Sequence, residues 1–418
     1  MRLRRRAELG VPGVSHDGAL VRSGSPYLVA GALALVLTVS FYTTAPKTSV
    51  SSDPLANVLT AWTVAEHGSF VLSEHEQLVS PHAYFQLTWI VRGEDGPVSI
   101  FPPGAALLAA PLYVVGPDEL IPAAAQGAGG DSFHYGLPRL EPSVLVAAAS
   151  TAIAVALLFL TLVRVGSLRE ALAGSLIFAT ATGAWSVASQ SLWQHGPAMM
   201  WLAVALWSQG SLRRELAWIP AILTRPLVAV FAATKFVYEL FMDRRWRRLV
   251  LPVAFVSAGA ALFLVYNRLA FGSWSPLAAY ADLHVLSLWD TDLIAWGRNI
   301  VGAVVDPKRG LLIISPFLVA LIPGLRAAWK ASPGFVRASA MAGVAYLLIH
   351  YKTHHFAGGD RFFGYRYPLE ALLAAAPLLY LSYQQWVRDH RFRLALFGSG
   401  VAVAIGLQAY AVLNPYQF

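Results

Sequence analysis

Eleven apolar runs, each 15–26 residues long, follow one another along the chain with short basic clusters in half of the gaps between them. A helix that crosses a bilayer takes about 20 apolar residues. The runs lie near 27–42, 99–116, 142–163, 171–188, 196–211, 216–241, 249–271, 311–326, 337–351, 367–386 and 393–413. Composition agrees, because 56% of the 418 residues are hydrophobic and 13% are charged, against roughly 25% charged in a soluble domain. Such a chain cannot dress the surface of a soluble enzyme, and it is too apolar to be disordered. The expected fold is an all-α polytopic membrane protein with about 10–12 transmembrane or re-entrant helices.

Charge sets the expected topology. The basic clusters Arg164/Arg169, Arg213/Arg214, Arg244/Arg245/Arg247/Arg248, Arg326/Lys330/Arg337 and Arg388/Arg391/Arg393 are expected to face the cytoplasm. Residues 1–26, with Arg2 and Arg4 to Arg6, read as a cytoplasmic basic N-terminus ahead of a retained signal anchor. Residues 27–418 then form a single transmembrane domain in the plasma membrane. Two runs fit this topology only if they do not cross. The run 99–116 carries Pro102, Pro103 and Pro111, so a partly inserted or re-entrant helix is expected. The run 216–241 has basic residues at both ends and is expected to be a hairpin broken near Arg225-Pro226. The loops 43–98, 272–310 and 352–366 then fall outside, together with 117–141 and 189–195. The net charge of +8 belongs to the inner loops and does not point to nucleic acid. No cysteine is present, which excludes disulfides, thiolate metal sites and a Cys nucleophile.

Several outer residues could carry chemistry. Asp53 opens the first loop in Ser51-Ser52-Asp53-Pro54, ahead of helical apolar spacing that ends at Glu66-His67-Gly68. This segment reads as an amphipathic helix on the membrane surface. Asp53 is either its N-cap or a general base at the bilayer edge. Trp193 and His195 lie in a polar cluster at the outer end of two runs, as an interfacial belt or a functional group. Arg225 sits among apolar residues and needs either an anion or an ion-pair partner. Lys308 and Arg309 are basic on the outer side, which suggests an anionic ligand or lipid headgroups. The richest stretch is His350 to Tyr367, with Lys352, His355, Asp360, Arg361, Tyr365 and Arg366 among aromatic rings. Arg forks suit phosphate and aromatic faces suit sugar or isoprenoid. The His pair lacks an acidic residue at metal-site spacing, so neither a metal nor another cofactor is expected.

In order along the chain, these pieces resemble the GT-C superfamily of integral membrane glycosyltransferases. The resemblance rests on Asp53 in Ser-Ser-Asp-Pro, Phe101-Pro102-Pro103-Gly104, Trp193-Gln194-His195, Thr224-Arg225-Pro226 and Tyr266-Asn267 with Phe271-Gly272-Ser273. It rests also on Arg309-Gly310-Leu311 with Ser315-Pro316-Phe317, and on Gly358-Gly359-Asp360-Arg361 with Gly364-Tyr365-Arg366-Tyr367. It covers about residues 40 to 386. The resemblance implies a polyprenyl-phosphate sugar donor, a glycan or glycolipid acceptor, and an inverting transfer on the extracytoplasmic face. The first-loop acid, Asp53, would be the base. Arg225, His195, Lys352, His355, Asp360, Arg361, Tyr365 and Arg366 would bind donor phosphate and sugar, with Glu66, Trp193, Lys308 and Arg309 as further candidates. The family's usual second acid beside the first is replaced here by Pro54. Two other classes fit the same composition. A lipid-linked oligosaccharide ligase or polymerase would use the outer cations without the acid. A flippase or transporter of lipid-linked sugars would place its polar residues at mid-membrane.

Overall fold

The computed structural model describes residues 25–47, 51–79, 89–116, 119–126, 132–207, 212–243, 249–280, 292–358 and 362–415. Among these, four helices are long and apolar enough to cross a bilayer: Ser25–Thr44, Glu141–Val163, Val250–Phe271 and Arg391–Leu413. Gly334–Thr353 is as long but less apolar. Several other runs are interrupted. The run 171–188 is a helix to Thr180 and then a separate π turn, Ala184–Ala188. The run 311–326 is divided among Leu311–Ile314, Phe317–Leu321 and Ile322–Gly324, with Ser315 and Pro316 breaking the ladder.

The two runs set apart by proline behave as their prolines dictate. Gly104–Val114 is an 11-residue helix, about 16 Å long and too short to span. The run 216–241 breaks at Arg225, whose backbone is extended (φ −151°, ψ 97°) between the Trp218–Thr224 helix and Pro226. The second half, Ala229–Asp243, packs against Gly334–Thr353, whereas Trp218–Thr224 packs against Val250–Phe271.

The short helices fit tightly. A Cβ added at Gly104 would come within 2.4 Å of the Thr224 backbone nitrogen. Gly104→Ala is therefore expected to force two helices apart and cost about 1–3 kcal/mol. Gly297→Ala is the control, because it lies on a helix with open space around it. Thermal unfolding in detergent should show a lower midpoint for the first and none for the second.

One sequence expectation is corrected and another, the all-α class, is borne out with two small hairpins added among the described residues. The first-loop helix, Ser52–His67, does not lie along a surface with one face exposed. Every residue from Pro54 to Thr63 is buried, against Ala105, Ala109 and Leu192 on one side and Leu72 and Ile90 on another. Gly68 stops this helix as expected, in the left-handed conformation (φ +63°) with its N–H donating to Val64 O. The all-α expectation holds for the long helices but not for the loops. Ile90–Arg92 pairs antiparallel with Pro97–Ser99, and Leu120–Gln126 with Ser132–Pro138, in register Leu120 to Pro138.

The helices have two chemically distinct ends. Arg164 donates to Trp207 O (3.0 Å) and lies over Phe335, while Arg214 donates to Ala205 O (2.9 Å). Arg388 pairs with Glu170 (3.6 Å). These members of four of the basic clusters, or their neighbours, thus meet at one end. The Glu141–Val163 helix is about 35 Å long and runs from Leu140 to this basic end. At the other end lie Asp53, Trp193, His195 and Arg366.

Candidate functional site

Asp53 falls in the first turn of its helix, and Ser51 takes the N-cap position without a side-chain bond. The N-cap reading of Asp53 is therefore corrected. Its carboxylate instead accepts a hydrogen bond from Arg366 Nη1, in an ion pair whose side chains are 15% and 9% exposed. Arg366 is presented by a loop that turns on Gly358 (φ +71°) and Gly364 (φ +67°), a conformation other residues adopt at a cost. Its guanidinium lies over three rings: Trp193 at 4.7 Å, Tyr367 at 5.0 Å and Phe362 at 5.1 Å. Burial alone would push the Arg366 pKa down, but Asp53 outweighs it and the net shift is upward.

A second buried pair stands beside the first. His195 Nδ1 is 2.9 Å from Glu370 Oε1, and Arg225 Nη1 is 3.4 Å from the same oxygen. The break before Pro226 turns Arg225 into this position. Tyr367 joins the two pairs, since Arg225 lies 5.7 Å from its ring and Arg366 Nη2 is 3.4 Å from its hydroxyl. Behind Tyr367, the His350 ring is 4.0 Å away and stacks on His354 at 4.7 Å. Burial, with Arg225 and Arg366 nearby, pushes the His354 pKa down to about 4. That imidazole is neutral at pH 7. Two guanidiniums then balance two carboxylates.

Several buried polar atoms here have no hydrogen-bond partner among the described residues: both ring nitrogens of His350, Glu370 Oε2, Arg366 Nε and Tyr351 Oη. Buried polar groups are usually paired. Orphaned donors and acceptors gathered around two ion pairs make a site able to take a polar ligand, to accept a proton at Asp53, and to present N–H groups to an anion.

The structure brings together five sequence candidates: Asp53, Trp193, His195, Arg225 and Arg366. It separates others. Tyr365 is buried in the helix core with its hydroxyl 2.7 Å from Ser315 Oγ. Glu66 is exposed near the far end of its helix, about 20 Å from Asp53. His355 is exposed and accepts from the Ala357 backbone (3.3 Å). Lys308 is exposed on a turn made by Asp306. Arg309 shapes the loop, donating to the carbonyls of Phe362 and Gly364 and lying 4.2 Å from the Phe362 ring. Lys352 is half-buried in the last turn of Gly334–Thr353. Asp360 and Arg361 lie outside the described residues.

Glu370 was not singled out by sequence, and Tyr367, His350 and His354 lay within the stretch His350 to Tyr367 without being given a role of their own. Glu370 did carry a signal, as a lone carboxylate in the apolar run 367–386, where ionisable groups are costly and tend to be functional.

Two of the cavities among the described residues stand out. One of about 60 Å³ adjoins the Asp53–Arg366 pair through Trp193 and Phe362. The other, of about 140 Å³, is apolar, lies toward the basic end among Leu158, Phe178, Phe317 and Leu372, and touches none of the polar cluster. No family model matches the chain, and no curated protein matches it.

Proposed function

We propose that the chain is an integral membrane glycosyltransferase of the GT-C kind. It moves a sugar from a polyprenyl-phosphate donor to a hydroxyl of a glycan or glycolipid, with the polar end of the molecule extracytoplasmic. The observation that carries this reading is the ion pair from the first-loop acid, Asp53, to Arg366 of the last outer loop, set among aromatic rings at the end opposite the basic clusters. The motif pieces also meet in space. Gly104 lies against Thr224, and Ser315 bonds Tyr365.

In this reaction the Asp53 carboxylate takes the proton of the acceptor hydroxyl. The oxygen bonds to the anomeric carbon as the bond from that carbon to the phosphate oxygen breaks, and the configuration inverts. Polyprenyl phosphate leaves with the bonding electron pair. Arg366 orients Asp53 and offers its free Nε–H toward the departing phosphate, a charge-assisted contact made in the transition state. Arg225 has its charge balanced by Glu370, so it holds position more than it attracts an anion.

Purified protein in liposomes, given a pool of polyprenyl-phosphate mannose, arabinofuranose and other sugars, should release polyprenyl phosphate and form a glycosylated acceptor. Movement of intact donor across the bilayer without transfer would instead make it a flippase.

The orientation has its own test. Single cysteines at Ser73 and His355 should react with an impermeant maleimide in intact cells, while one at Ala331 should not. All three positions are exposed. Labelling at Ala331 alone would invert the topology and remove the site from the outer face.

A further inference from the structure

We infer that the small cavity beside the Asp53–Arg366 pair is a subsite for the hydroxyl groups of a neutral sugar, a reading that rests on the proposed transfer. Ser51, Ser186, Gln190 and Ser191 supply its polar lining, and Trp193 and Phe362 two of its rings. Among the described residues, no acidic or basic side chain lines it.

Gln190 carries the argument. It is 7% exposed, and its Nε2 donates to Ser189 Oγ at 3.1 Å. Its Oε1 has no partner among the described residues. A buried amide oxygen without a donor costs stability until one arrives. Behind the cavity, Ser186 Oγ donates to Gln408 Oε1, and the fully buried Gln408 Nε2 has no partner either.

The ligand chemistry follows from this lining. Among the described residues an anion would meet no cation here, because the charge of Arg366 lies beyond the Trp193 and Phe362 rings. An isoprenoid chain would strand three serines and an amide. A hydroxyl both donates and accepts, and so answers serine and amide together. The two rings stand 5.7 Å apart at 73°, a corner against which the C–H face of a sugar can pack. A cavity of about 60 Å³ takes a hydroxymethyl group or two ring hydroxyls in place of a few waters. The remainder of the ring then sits at the mouth, within reach of Asp53.

The test is calorimetric titration of the full chain in detergent with methyl hexosides and methyl pentofuranosides. At least one should bind saturably, with Gly297→Ala leaving Kd within twofold, since Gly297 does not line the cavity. Gln190→Leu should weaken that binding about tenfold, the effect of one lost hydrogen bond. If Gln190→Leu proves unfolded by thermal melting, Ser191→Ala replaces it and should weaken binding in the same direction. The inference is overturned if no glycoside saturates, if the folded variant binds as the parent does, or if glycerol competes at equal concentration. Glycoside binding without any sugar transfer would reject the transferase reading and leave the subsite standing.

Discussion

Asp53→Asn is expected to remain folded and to lose sugar transfer by about 10²–10⁴-fold, the usual contribution of a positioned general base. Asn has the size of Asp and can still accept a hydrogen bond from Arg366, but it cannot take a proton. Its structural cost is the lost charge of a largely buried pair, about 1–3 kcal/mol, visible as a lower unfolding midpoint. A swap separates the two effects. Asp53→Arg combined with Arg366→Asp rebuilds the pair in reverse and should recover part of the stability with none of the activity. Arg366→Lys keeps the charge but gives up the planar fork and its ring contacts, so it should be impaired less than Arg366→Ala. An active Asp53→Asn enzyme, or a swap that transfers sugar, would make the pair purely structural.

Glu370→Ala should be the most destabilising single change in the site. Glu370 is fully buried and is the acid paired with both Arg225 and His195. Its removal leaves the Arg225 guanidinium buried without a counter-charge, which typically costs about 3–5 kcal/mol. Glu370→Gln keeps an acceptor and should cost less. Removing both charges, as Glu370→Leu with Arg225→Met, should be far milder than the sum of the single changes, because no ion is then left behind. Unfolding midpoints of the four proteins in one detergent measure this cycle. Additive losses would mean that the two side chains do not interact in solution.

Much of the site was legible in the sequence because its charges sit where charge is expensive. Asp53, Arg225 and Arg366 each stand beside apolar or aromatic neighbours, and each proved to be paired. Glu370 obeyed the same rule but lay inside a run read as a simple span. Tyr365 was misplaced because it neighbours Arg366 in the sequence, yet its hydroxyl is taken by Ser315 in the helix core. The burial of Pro54 to Thr63 was hidden for a different reason. Its polar positions, among them Asn57, Thr60 and Thr63, look water-facing in a helical pattern. Asn57 is satisfied by Leu192 O and Thr60 by its own helix, at Ala56 O. The hairpin Leu120–Gln126 gave no alternating pattern, because Pro-Ala-Ala-Ala has no strong facing preference.

The Asp53–Arg366 pair joins residues 313 positions apart. A ribosome adds about 5–20 residues per second, so Asp53 leaves it some 15–60 seconds before its partner exists. Glu370, the partner of Arg225 and His195, follows Arg366 by four residues. From residue 225 until residue 366 is made, the emerging helices therefore hold Asp53, His195 and Arg225 without the groups that neutralise them. The charges close almost together, within four residues of each other. A nascent chain stalled before residue 366 would carry an open polar wound at the membrane edge, a mark by which quality control can tell it from a finished molecule.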